Sequence, residues 1–312
     1  MRNICLNIVT KLFLVAVVAT SLNAFALEGN SPTTSFGVSD FGAGIVPPPT
    51  DLPTIGFRFA SYTAKHISDN NGNHSPLKVD ATINSYGLAA VKTTSLSVLG
   101  AKYGWAVVVP YFRMSLDLGI PTPSGLISQN GKNTALGDIQ LFPAILSWTP
   151  TQNLFLYTSM MVQVPTGGYE KNRIINAGVN HWVISPVIAF TYITSFGMEL
   201  SSTIQLNVNT RNPDTDYRSG LEYQHEFGIG QHIGPWTIGI GGYYNQQITN
   251  DTQAGNSISG SRARVFAAGP ALSFFKPGSA WPVITLHAYK EFGAQNRTEG
   301  QMIALKAYWT FK

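Results

Sequence analysis

The chain has almost no cysteine. Its only one among 312 residues is Cys5, close to the start. A small domain stapled by disulfides is thereby excluded, along with cysteine metal ligands and a thiol nucleophile. Charge is scarce as well. Asp, Glu, Lys and Arg make up 12% of the residues, about half the ~25% usual in soluble domains. There is no cluster of Lys or Arg, so a nucleic-acid partner is not expected. Long apolar runs are missing after residue 26, whereas a membrane-spanning helix needs roughly 20 consecutive apolar residues. A charge-poor chain without such helices has one remaining way to span lipid. It must close a β-barrel, because an open sheet edge leaves backbone groups unsatisfied in hydrocarbon.

The first 26 residues read as a cleaved signal peptide. Arg2 and Lys11 are its cations, 12–19 its short apolar stretch, and Ala24-Phe25-Ala26 its small-x-small cleavage site. Removing Arg2 and Lys11 with it takes the formal charge from +4 to +2. Export to the cell outer membrane is the expected destination, with membrane lipid and the barrel-assembly machinery as partners. Residues 27–54 lack a strand pattern and carry Pro47-Pro48-Pro49, which cannot join a sheet interior. They form either a periplasmic tail or a plug folded into the lumen.

From 55 to 312 the pattern is period-2 alternation, with helical periodicity almost nowhere. In 198–209, Met198, Leu200, Ile204, Leu206 and Val208 share one face, while Glu199, Ser201, Thr203, Gln205, Asn207 and Asn209 share the other. Clear alternation recurs at 154–164, 236–241 and 303–311. Weaker segments lie near 55–66, 78–94, 98–118, 135–148, 181–193, 217–231, 262–275 and 282–292. Tight turns near 94–98, 149–153, 194–197, 232–235 and 276–280 alternate with longer polar loops at 67–77, 119–134, 165–180, 210–216, 248–261 and 293–299. Short turns on one side and long loops on the other are the signature of outer-membrane barrels. Trp148, Trp236, Trp281 and Trp309 sit at strand ends beside the short turns, as an aromatic girdle requires. The expected fold is all-β: a transmembrane antiparallel up-and-down barrel of about 12 strands, with 10 to 14 compatible. Alternation alone does not say which face is inside; the leader, the low charge and the loop asymmetry do.

If the apolar faces meet lipid, the polar groups opposite them point inward, since Arg or Lys at the bilayer midplane costs about 2–4 kcal/mol. The expected lumen-lining set is Glu199, Gln205, Asn207, Arg218, Glu222, Gln224, Glu226, Arg262, Arg264, Glu291 and Lys306. Such a set either selects solutes or fills the barrel with internal salt bridges. Glu199, Glu222 and Glu226 would repel one another unless Arg218 or another cation intervenes.

Chemistry is harder to find. Gly125 to Lys132 fails as a phosphate loop, being one residue too long with Asn133 where Ser or Thr should follow. His66, Asp69, Asn71, Asn73 and His74 match no known metal-ligand spacing and read as a solvated loop. His181, His225, His232 and His287 fall on separate strands or strand ends, and none sits in a nucleophile elbow. No cofactor and no enzymatic activity are expected.

Several local motifs carry a family resemblance. They are Gly137-Asp138 with Pro143, 164–169 (Val-Pro-Thr-Gly-Gly-Tyr), Asn176, Asn180-His181-Trp182, Ser185-Pro186 and Thr191-Tyr192. Further on come Glu199-Leu200-Ser201, Asn207, Asn209, 215–220, Gly241-Gly242-Tyr243-Tyr244 with Gln246, Gly269-Pro270, Lys290-Glu291-Phe292 and Asn296-Arg297. On these motifs the chain, from about 135 onward, resembles the bacterial meta-pathway phenol-degradation family, which includes the SphA-like outer-membrane proteins. Pro47-Pro48-Pro49 matches a Pro-rich segment ahead of that family's first strand, which favours the plug. The resemblance implies a passive outer-membrane channel or transporter for small hydrophobic or aromatic compounds. A structural or surface-interaction barrel with a closed lumen is the alternative, its long loops 119–134 and 248–261 being the contact surface. An outer-membrane hydrolase ranks third.

Overall fold

The computed structural model describes residues 33–311. Residues 1–26, read as a signal peptide, lie outside the described residues. Among the described residues sixteen strands follow one another: β1 (Thr54–Ser68), β2 (Lys78–Val98), β3 (Ala101–Thr122), β4 (Gly125–Leu136), β5 (Ile139–Thr151), β6 (Leu154–Val164), β7 (Val183–Ile193), β8 (Met198–Asn209), β9 (Tyr217–Arg218), β10 (Glu222–Ile233), β11 (Trp236–Gln247), β12 (Thr252–Gln253), β13 (Asn256–Ser257), β14 (Arg264–Phe274), β15 (Val283–Gln295) and β16 (Arg297–Trp309). Every pairing in the main sheet is antiparallel. It closes through β1 with β16 and β2 with β3.

The barrel has twelve strand positions, one of them shared by β4 and β5. β3 pairs with β5 through 102–108 and with β4 through 111–122. Pro110 sits at the change of partner. It has no N–H to donate but accepts from Gly137 at 2.8 Å. The stretch expected as a loop at 119–134 is therefore mostly hairpin, because its Gly, Ser and Asn residues hide a paired strand. The loop expected at 293–299 is likewise a tight turn at Asn296, where φ is +50°. The strand expected at 217–231 is split into β9 and β10.

Side chains sort as lipid requires. Along β7, Val183, Ser185, Val187, Ala189 and Thr191 are buried toward the lumen, while Ile184, Ile188, Phe190 and Tyr192 are exposed outward. Small and polar groups inside with bulky apolar ones outside is the reverse of a soluble sheet. β9, β12 and β13 form a separate three-stranded sheet on the loop side.

Candidate functional site

The lumen is where the polar groups converge, and residues 33–53 run down it. Near the loop end, Thr33 Oγ1 donates to Glu222 Oε2 (2.6 Å) and Thr34 Oγ1 to Gln224 Oε1 (2.9 Å). Lower, the backbone N–H groups of Val38 (2.9 Å) and Ser39 both donate to Glu226. Gly42 N donates to Glu199 Oε1 (2.6 Å) and Gly44 N to Thr191 Oγ1 (2.9 Å). At the turn end, Lys92 donates to the carbonyls of Thr50 and Asp51. Hydrogen bonds to an ionised partner contribute about 1.5–3 kcal/mol each.

Charge reinforces this seating. Asp40 is fully buried, with His287 Nδ1 at 2.7 Å and Lys306 Nζ at 2.5 Å. Arg58 donates to the carbonyls of Phe36 (3.0 Å) and Gly37 (3.1 Å). Phe36 packs on Tyr243, with ring centroids 5.2 Å apart. Phe41 lies where a side chain at Gly230 would collide with it, and a Cβ at Gly44 would strike the backbone of Phe190 and Thr191. Burying each of the two Phe rings is worth about 2–3 kcal/mol.

Of the residues expected to line the lumen, eight lie within this network. Glu199, Asn207, Glu222, Gln224, Glu226 and Glu291 are buried. Gln205 and Asn207 both donate to Thr34, and Lys306 holds Asp40. Three arginines do not line it. Arg218 is exposed on β9 with its Nε on Asn209 O, because the strand breaks at 219–221. Arg262 is exposed ahead of β14, with its Nε on Asn250. Arg264 shares its face with Phe266, which packs outward on Phe227 and Phe292, so alternation turns it away from the buried Val265 and Ala267. Glu199, Glu222 and Glu226 are instead served by N–H and hydroxyl donors of 33–42, with His232 Nε2 at 2.7 Å from Glu199.

Sequence reasoning did not name Asp40 or Arg58, and it named His287 and Arg297 without placing them in the lumen. Asp40 lies in a stretch without periodicity, and Arg58 and His287 belong to segments where alternation is weak.

Above residues 33–36 the lumen opens into a cavity of about 450 Å³. Its wall is the upper part of the β2–β3 hairpin: Val79, Ala81 and Ile83 with Phe112, Met114, Leu116 and Leu118. Ile174 and Ile175 of the 165–182 loop cover it. Asp138 holds that loop, accepting from Gly167 N (2.8 Å) and Val179 N (2.8 Å). The sidedness of the hairpin inverts here. Lower down, Tyr86, Leu88 and Tyr111 face outward, whereas higher up Lys78, Asp80, Arg113 and Asp117 are the exposed outward residues. A polar outer face belongs in water, so this part of the hairpin stands clear of hydrocarbon and encloses an apolar space.

On the loop side, Asp251 accepts from Gly220 N (2.8 Å) and Gln247 Nε2 (2.6 Å), and burial pushes its carboxyl above the usual range. His66 and His74 stack at 4.5 Å, while Asp69 accepts from Asn71 N and Asn73 N. Groups of three or more His, Cys, Asp or Glu able to hold a metal are absent among the described residues. Ser202 Oγ lies 2.8 Å from His225 Nε2. That pair faces outward beside Tyr223 and Phe227, and among the described residues no hydrogen bond orients the second ring nitrogen of His225, as a hydrolytic triad would need.

The chain matches the family described as "Putative MetA-pathway of phenol degradation" over residues 64–307. Among solved structures it is similar to an outer membrane channel from Pseudomonas putida F1, with TM-score 0.74 and 16% identity over 88% of this chain and 100% of that one. A Pseudomonas aeruginosa FadL homologue aligns with TM-score 0.47 and 12% identity over 91% of this chain and 99% of that one. The first likeness shows a shared outer-membrane barrel fold. No curated protein sequence matches the chain.

Proposed function

The chain belongs to the MetA-pathway phenol-degradation family, and from that premise we propose that it is a passive outer-membrane channel for small hydrophobic or aromatic compounds. The observation that carries this reading is the apolar cavity of about 450 Å³ at the loop end, a size that suits a small organic solute. Residues 33–53 act as a plug beneath it, held by hydrogen bonds that break and re-form rather than by covalent links. A solute enters at the loop end, rests in the cavity, and passes when the segment yields. Transport runs down the solute gradient.

The test compares uptake of radiolabelled aromatic compounds by cells carrying the protein or an empty vector, alongside single-channel conductance of the pure protein. A variant lacking 33–53 and a second, Gly44→Val, should both enlarge the conductance steps. Heat-modifiable gel mobility confirms that each has folded. Uptake equal to the empty vector for every aromatic tried would overturn the reading.

The filled lower lumen favours a second reading, a structural or surface-interaction barrel with a closed lumen. It predicts no change in permeability on freeing the segment, and loss of adhesion when the 248–263 loop is shortened.

A further inference from the structure

The cavity is mostly apolar, and the charged groups at its edges are unequally satisfied. Glu291 is saturated. Its carboxylate accepts from Tyr62 OH (2.7 Å), Tyr243 OH (2.8 Å) and Gly300 N (2.8 Å). Asp138, at the opposite edge, accepts from Gly167 N, Val179 N and Gln163 Nε2. Arg297 is the reverse case. It is 4% exposed and lines the cavity, yet its side chain donates no hydrogen bond among the described residues. Its Nη2 stands 3.8 Å from Glu291 Oε1, beyond hydrogen-bond reach, and its Nε has no partner. The guanidinium rests on the Phe36 ring, 4.7 Å from the centroid, which fixes its plane without using its N–H donors. Arg58, also lining the cavity, has a second buried Nε without a partner.

A buried guanidinium without acceptors is costly, and a ligand oxygen that supplied them would recover that cost. A donor head group, such as an amine or a neutral hydroxyl, finds both carboxylates already served and two arginines facing it. An acceptor head group finds open donors in a planar fork suited to a carboxylate. We infer that the cavity binds amphipathic carboxylates, with the acid on Arg297 and the apolar body along Val79, Leu116 and Leu118. The inference rests on the channel reading above and names the solute class of that same cavity.

Binding is measured by fluorescence titration of the full chain in lipid nanodiscs with three matched probes: 2-naphthoate, 2-naphthamide and 2-naphthylmethylamine. Empty nanodiscs correct for partition into lipid. The carboxylate should bind about tenfold tighter than the amide, as one charge-assisted contact gives, and the amine weakest of the three. Arg297→Gln should bring naphthoate down toward the amide's affinity, with a smaller loss for the amide, whose carbonyl also accepts from the guanidinium. Arg297→Lys should restore part of the preference. Equal affinity for naphthoate and naphthamide, or a preference that survives Arg297→Gln in a folded barrel, overturns the inference and leaves the cavity a neutral hydrophobic site. Failure of all three probes to bind overturns the cavity reading along with it.

Discussion

Two walls of the same lumen are built on opposite principles. One, formed by β7, β8 and β10, presents Thr191, Glu199, Asn207, Glu222, Gln224 and Glu226. Five of these six accept a hydrogen bond from residues 33–44, while Asn207 donates one to Thr34. The other, the upper β2–β3 hairpin, presents mainly apolar groups to the cavity, from Val79, Ala81 and Ile83 to Phe112, Met114, Leu116 and Leu118, and its charged side chains face out. The difference shows how a barrel holds a plug and an empty space together. Directional bonds fasten the N-terminal segment to the polar wall, and the apolar wall gives its backbone no partner, so the segment cannot spread across and the space stays open.

Breaking the attachment should have the largest effect. Asp40→Asn leaves Lys306 and His287 beside a neutral amide, and removing one partner of a buried ion pair costs about 3–5 kcal/mol. The segment should then detach in a large share of molecules. Single-channel recording should show open steps that are rare in the parent protein, and limited proteolysis should cut between 33 and 53. Unchanged conductance and protection would mean that the segment is held by shape alone. Glu226→Gln is milder. It keeps one acceptor for Val38 or Ser39 and loses the charge, a change of about 1–2 kcal/mol. Brief openings should appear without proteolysis, and a closed trace like the parent's would assign the attachment to Asp40 and the Phe rings.

The two walls were not equally legible in the sequence. β8 announces itself, because polar and apolar residues alternate cleanly, and in the weaker segment that holds β10 the residues Glu222 and Glu226 still fall on the correct face with Glu199. Their partners do not, since Asp40 lies in an irregular segment and nothing local says which strands it meets. The hairpin of β2 and β3 was faint for a physical reason. Its apolar set changes sides between Leu88 and Ile83, and again between Tyr111 and Phe112, so no single face stays apolar along the strand. A search for that inversion would have located the cavity. Arg264 failed in the other direction, because one step of alternation at a strand end decides whether a charge faces the lumen or the rim.

The smallest effect on the plug should come from filling the cavity. No hydrogen bond from residues 33–44 lands on β2, so Val79→Trp adds bulk where the segment is not attached. Val79 packs with Ala81, Leu116 and Leu118 at the cavity wall, so Trp there extends into the cavity at an overpacking cost of about 1–3 kcal/mol, borne by the hairpin and not by the segment's attachment. Conductance and proteolytic protection should therefore match the parent protein, whereas uptake of aromatic solutes should fall severalfold as the resting place is lost. Undiminished uptake with an intact plug would send the solute by another route, and simultaneous opening of the plug would show that the two walls are mechanically joined. Only a loss of uptake with the plug still seated is consistent with one wall acting as latch and the other as binding surface.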